Sequence, residues 1–351
     1  TQRAAGMKGN THRSFLFYLG LTIWITNFLS SREVTPNFQL SWPTPNPAFA
    51  QGMGYSAFLQ KTGPDKAFSS GAFGCVRNNG YKFHEGLDLY PIRRDSNGHA
   101  EDSIYAAMQG IITHINNTSS HSAYGKYLVL EHHKAVPRIY SLYGHLASIE
   151  AGLRLVSEVN VAQKIGKMGN SASYRIPLNR SHLHFEIGLR LTDNFQMWYN
   201  NKKFATPNRH GNFSGFNLVG FDPLPFYSKY AAKSFQSPLD YINSLPREAK
   251  IRVKTNKTPD FVKRYPSLCK LYKGTKQWNG WECIFGPYGM PIMLQQTDTC
   301  KEGEPVIRIV SYDISQQSRM CRRLIEKRNG KLVPAEQMKL YIELLFGLKL
   351  D

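Results

Sequence analysis

Five residues of types that build a hydrolytic metal site fall in three short stretches. The first is KFHEGLDLYP, residues 82–91. It begins as HExxH, the helical spacing that sets two histidines on one zinc, but Asp88 stands where the second histidine belongs. Gly86 and the LDLYP run are also poor helix material. As a loop entering a strand the stretch makes sense: His84 and Asp88 can approach one cation, and Gly86 lets the backbone turn. The second stretch is SHLHFEI, residues 181–187. Read as a strand, it has His182 and His184 on one face and Phe185 and Ile187 on the other. The third is YGHL, residues 143–146, where His145 follows an apolar run and a glycine. Singly these are weak signals: HxxxD recurs by chance, and a lone His145 reads as structural. Together they supply two histidines and an aspartate, the three ligands of a catalytic zinc that keeps one position open. Two further histidines beside that position could move protons or hold an oxyanion.

The elements that must position them read as strands. SIYAAMQGIITHI (103–115), KYLVLEHH (126–133) and RIYSLYGHL (138–146) are rich in β-branched and aromatic residues, with turn formers such as NNTSSHSAYG between them. No helices alternate with these runs, so the fold class is mainly β, an antiparallel domain and not a doubly wound α/β sheet. Residues 192–240 read as loops, in which Trp198 and Tyr199 are expected to pack. KIRVKT (250–255) reads as an edge strand with Lys250, Arg252 and Lys254 on its solvated face. PAEQMKLYIELLFG reads as a helix opened by Pro334 and stopped near Gly347. The division expected is an N-terminal segment, 1–31; a Pro-containing extended strap, 32–72; the histidine-bearing domain, 73–240; and a smaller α+β domain, 241–351, of no legible chemistry.

The remaining histidines need no functional account. His12, His99, His114, His121 and His210 read as surface residues, and His132 and His133 as surface or structural. The chain has 351 residues, 41% of them hydrophobic, enough for one large domain or two smaller ones. A net charge of +19 favours polyanions without choosing among nucleic acid, membrane surface and anionic wall polymers. Met7 reads as the start, with Lys8 and Arg13 before an apolar run from Phe15 to Leu29, as in a signal peptide that is either cleaved or kept as an anchor. Export permits disulfides. Cys269, Cys283, Cys300 and Cys321 crowd the C-terminal third and can make two bridges in three connectivities, leaving Cys75 as a small buried residue.

The order HxxxD, YGHL, then HLHFEI resembles the lysostaphin-type (LytM-like) zinc endopeptidases. The stretches FGCVRNNGYKFHEGLDL, AAMQGIITHI, YGKYLVLEHH, YSLYGHL, VAQKIGKMGNSA and SHLHFEIGL carry the resemblance over 73–190, about a third of the chain. It implies an antiparallel β peptidase domain with an open groove, one zinc per chain held by His84, Asp88 and His184, and His145 and His182 as the catalytic pair. It also implies peptidoglycan stem peptides or cross-bridges as substrate, hydrolysed outside the cytoplasm in the periplasm, envelope or surroundings. Anionic envelope polymers are possible further partners, a membrane only through the N-terminal segment, and no specific nucleic acid is expected. The chain departs from the family pattern at SYRIPLNR (173–180), which lengthens the approach to HLH and predicts a longer loop at the groove rim. A different class of function, a non-catalytic wall-binding regulator on the same fold, is disfavoured because all five positions are filled.

Overall fold

Seven strands build the sheet that carries the site. The computed structural model describes residues 38–62, 67–315 and 321–350, all within one compact unit, Val34–Asp351. The expected start at Met7 and the apolar run from Phe15 lie outside the described residues. Among the described residues no helix is long and apolar enough to cross a membrane.

The sheet runs, edge to edge, Leu218–Gly220, Leu183–Arg190, Tyr140–Gly144, Tyr127–Glu131, Gly110–Asn116 and Glu158–Val159. Leu87–Leu89 pairs with the first half of Leu183–Arg190, on the same edge as Leu218–Gly220, and every pairing is antiparallel. Leu183–Arg190 and Tyr140–Gly144 are buried along almost their whole length; in the first, Leu183, Phe185 and Ile187 alternate with the buried polar His184 and Glu186. Phe185 and Ile187 point into the main core, with Tyr143 and Leu128, as period two requires. A second, three-stranded sheet of Ser103–Tyr105, Lys164–Met168 and Leu146–Ile149 packs beside it.

The stretch 41–50 lies on this domain as a strap. Ser41 N donates to Ala107 O and Tyr105 N donates to Pro43 O. Trp42 stacks on Phe49 at 4.7 Å and meets Tyr227 edge-on at 4.9 Å.

Three expectations need correction. Residues 192–240 hold three short helices, Phe195–Asn201, Pro223–Ala231 and Pro238–Asn243. The last two carry legible start signals: the Asp222 carboxylate accepts from Leu224 N, and Ser237 and Asp240 form a capping box, with proline at the first turn of both helices. The strand Ala249–Val253 is interior, between Gly280–Phe285 and Ile307–Tyr312. Its Lys250 and Arg252 are tolerated there because cross-strand Glu282 accepts from both, at 2.5 Å and 2.7 Å. The final helix is Glu336–Phe346. Pro334 instead ends the strand Lys331–Pro334, while Gly347 does stop the helix, in the left-handed region at φ 60°.

The cysteine expectation reverses. Cys75 is bonded to Cys321 across 246 residues, and Cys269, Cys283 and Cys300 are free thiols. Tyr288, from the C-terminal part, packs on Phe73 at 5.6 Å and Phe83 at 4.8 Å. Segment 241–351 therefore abuts the hairpin that leads to His84.

Candidate metal centre

Strand register does most of the positioning. His84 ends Lys82–His84 and Asp88 is the middle residue of Leu87–Leu89, with only Glu85 and Gly86 between the two strands. In the antiparallel pairing Asp88 lies directly opposite His184, and on its other edge His184 lies opposite Gly144. Gly86 is needed here for close approach: a Cβ would come within 2.2 Å of Phe185 O. The turning freedom expected of it is not what the site uses. One residue beyond Gly144, His145 adopts φ 59°, a left-handed conformation uncommon for a side chain of this size, which brings its ring beside the other histidines. His182 is bridged to Gly169.

Three donor atoms converge. His84 Nε2 lies 3.1 Å from Asp88 Oδ1, His184 Nδ1 lies 3.1 Å from the same oxygen, and the two nitrogens are 3.2 Å apart. All three residues are buried. Zinc bound to nitrogen and oxygen at about 2.0–2.1 Å in a tetrahedron needs donor separations of about 3.3–3.4 Å, so the triangle is close to the required size. The far atom of each residue is engaged elsewhere. His84 Nδ1 donates to Ala72 O at 2.7 Å. His184 Nε2 donates to Glu186 Oε1 at 2.9 Å. Asp88 Oδ2 accepts from Arg77 Nη2. Such outer partners fix ring orientation and tautomer and leave the near atoms free to ligate. The donor set, two imidazoles and a carboxylate, fits zinc.

The electrostatics point the same way. Burial pushes the Asp88 carboxyl up, but His84, His182 and Arg77 outweigh it and hold the group ionised, well below the ordinary carboxylate range. Burial lowers His84. Burial also opposes charge on His184, yet its bonds to Asp88 and Glu186 prevail and lift it to about 9. In the metal-free chain a proton therefore sits on His184 beside two carboxylates, in the place a cation would take.

His145 and His182 stand next to the triangle. Their rings are 4.8 Å apart, and His145 is 5.8 Å from His184. His145 Nδ1 donates to Ser171 O at 2.8 Å and His182 Nδ1 to Arg180 O at 2.6 Å, so each turns its Nε2 outward as an acceptor. His182 Nε2 is 3.5 Å from Asp88 Oδ1. Burial, with His182 and His184 close by, keeps His145 neutral. Asp88, His145, His182 and His184 thus line one groove, and His84, fully buried, meets it through Asp88 and His184. The groove, of about 580 Å³, is walled by Lys82, Phe83, Glu85, Tyr124, Tyr174 and Arg175. The segment 173–180 does form its rim, and no residue of 41–50 lines it.

Sequence reasoning missed Glu186, Arg77 and Arg322. Glu186 continues the 182, 184 face by period two, so the signal was present. It is buried, and its Oε2 accepts from Tyr140 Oη at 2.9 Å. Glu85 is ion-paired with Arg322 at 3.2 Å, and that guanidinium stacks on Phe83 at 3.9 Å. Nothing local in the sequence announces a partner so far along the chain. Among the other histidines, His132 is fully enclosed between Gln109 O and Ser141 Oγ, and His114, read from sequence as a surface residue, is half-buried, with Nε2 buried and unbonded among the described residues.

Residues 82–196 match the model of peptidase family M23. The match covers about a third of the chain. Solved structures similar to it include the catalytic domain of the prophage-encoded M23 protein EnpA from Enterococcus faecalis, with 21% identity and TM-score 0.26, over 38% of this chain and 82% of that one. The catalytic domain of the antimicrobial peptidase lysostaphin from Staphylococcus simulans matches at 18% identity and TM-score 0.29, over 50% of this chain and 95% of that one. A zinc-containing peptidase from Vibrio cholerae matches at 21% identity and TM-score 0.24, over 44% of this chain and 35% of that one. Likenesses this distant assign no activity to the chain. A comparison with curated proteins finds no match. The M23 match spans all five site residues, while the Cys75 and Cys321 that brace the site lie outside it.

Proposed function

We propose that the chain is an exported zinc endopeptidase that hydrolyses peptide bonds in peptidoglycan, with His84, Asp88 and His184 as ligands and His145 and His182 as the catalytic pair. The observation that carries this is the triangle of donor atoms at 3.1–3.2 Å beside two histidines whose Nε2 atoms face the same groove. When bound, zinc supplies Lewis acidity, polarising a carbonyl and acidifying a water. The chain's own groups do the rest. Asp88 and Glu186 offset the positive charge. The bonds from Ala72 O, Glu186 and Arg77 hold the ligands in one orientation, so little reorganisation is needed on binding. His145 or His182 takes a proton from the attacking water at its Nε2 while the other orients that water, and the imidazolium so formed holds the developing oxyanion and passes the proton to the leaving amine. The family M23 match and the export-like N-terminal segment support an envelope polymer as substrate, and the surplus of basic residues suits its acidic groups.

Digestion of defined muropeptides, with mass analysis of the products, tests this. The zinc-loaded protein is expected to cut a peptide bond, and His145→Ala and His182→Ala to keep zinc and lose cleavage. Intact muropeptides after incubation with fully loaded protein would rule hydrolysis out, and unchanged cleavage by either variant would remove that histidine from the mechanism.

A further inference from the structure

The groove holds more positive charge than its own carboxylates can answer. Two carboxylates line it, Glu85 and Asp88. Both are already engaged by arginines, Asp88 by Arg77 and Glu85 by Arg322. Lys82, Arg175 and Arg180 line the same groove and none has a carboxylate partner among the described residues. Arg180 is held only through Nη2 to the backbone carbonyl of Lys61, at 3.1 Å. Lys82 and Arg175 are exposed, and their side chains make no hydrogen bond or ion pair with any described residue. Two of the three cations belong to the inserted rim, 173–180, and the third lies two residues before His84. Like charges gathered on one concave surface repel one another, and the arrangement is relieved when an anion enters.

We propose that Lys82, Arg175 and Arg180 form a subsite for the free carboxylates of a substrate peptide, so that the groove selects carboxylate-bearing stem peptides over uncharged glycine bridges. The proposal rests on the peptidase reading for the reaction, but not for the binding. Guanidinium forks match a carboxylate through two parallel bonds, and the lysine adds a mobile point charge. Tyr174 and Phe83 supply the apolar wall against which the peptide stem lies between these contacts. The position beside the ligand triangle means that a carboxylate seated here fixes which peptide bond reaches His145 and His182. Arg180 also contributes the carbonyl that holds His182, so seating of the anion and orientation of that imidazole share one residue.

Binding and cleavage are measured separately on the full zinc-loaded chain. The probes are a fluorescent cross-linked stem-peptide dimer with free carboxylates, the same dimer with every carboxylate amidated, and an amide-capped pentaglycine. Anisotropy is expected to give an affinity for the free-acid dimer at least tenfold above that for either uncharged probe, falling steeply with salt. Lys82→Gln and Arg175→Gln should each weaken the free-acid dimer about tenfold, while Lys134→Gln, an exposed lysine outside the groove, should not. Discrimination in binding without cleavage of any probe would sustain the subsite and sink the hydrolytic reading. Equal affinity for the free-acid and amidated dimers, or a loss in the two variants that is the same for both, would overturn the subsite whatever is cleaved.

Discussion

Breaking the Cys75–Cys321 bond should loosen both the fold and the approach to His84. The bond closes a loop of 246 residues. The chain-entropy relation for such a loop gives an upper bound of about 5.5 kcal/mol at 25 °C, and native disulfides contribute roughly 2–5 kcal/mol. With unfolding entropy near 2.1 cal/mol/K per residue over about 300 residues, each kcal/mol moves the midpoint by about 1.6 °C. Cys75→Ser/Cys321→Ser should therefore melt about 3–8 °C below the oxidised wild type, measured on the zinc-free forms so that metal affinity does not enter. The loosening also reaches the site. Cys321 delivers Arg322 to Glu85 and Phe83, the two neighbours of His84, so the double variant should bind zinc more weakly as well. Alkylation under denaturing, non-reducing conditions should label three thiols, and five after reduction. Five labelled thiols without reduction, or an unchanged midpoint once the bond is confirmed, would refute the reasoning.

Glu186→Gln keeps the size of the side chain but removes the charge behind His184; competition with a chelator should find zinc affinity lowered about 10–100-fold, and unaltered affinity would show that Glu186 only fills space. Asp222 tests a charge away from the groove. Burial raises its carboxyl to about 6 from 3.8, so its contribution favours folding below pH 3.8 and is lost as pH rises through 6. Asp222→Asn should accordingly stabilise at pH 7.5, by at most about 3 kcal/mol from the shift and nearer 1–2 kcal/mol because the helix N-terminus favours the carboxylate; the gain should vanish at pH 4, and a loss at pH 7.5 would contradict the sign.

The parts of the site legible in the sequence are those encoded by residue type and local period. His182 and His184 share a face because strands alternate, and His84 and Asp88 enter the same centre because a short turn joins their strands. Glu186 obeys the same alternation, and its signal is hidden only when the histidines are read alone. Arg77 and Arg322 cannot be found this way, since each reaches the site from another element and no spacing records the meeting. The pairing of Cys75 is tertiary information of the same kind. In the fold, antiparallel pairing follows from β-rich runs without intervening helices. The short helices after residue 192 have little periodicity to display and are marked only by their caps, Asp222–Pro223 and Ser237–Pro238. The charges of Ala249–Val253 suggest an edge, because the acid that neutralises them, Glu282, lies on a different strand.

Metal content measured on the purified chain tests the central claim most directly. One zinc per wild-type chain is expected, and His84→Ala, Asp88→Ala and His184→Ala should each lose it while remaining folded by circular dichroism. Full zinc occupancy in all three variants would contradict the ligand assignment and, with it, the mechanism built around that triangle.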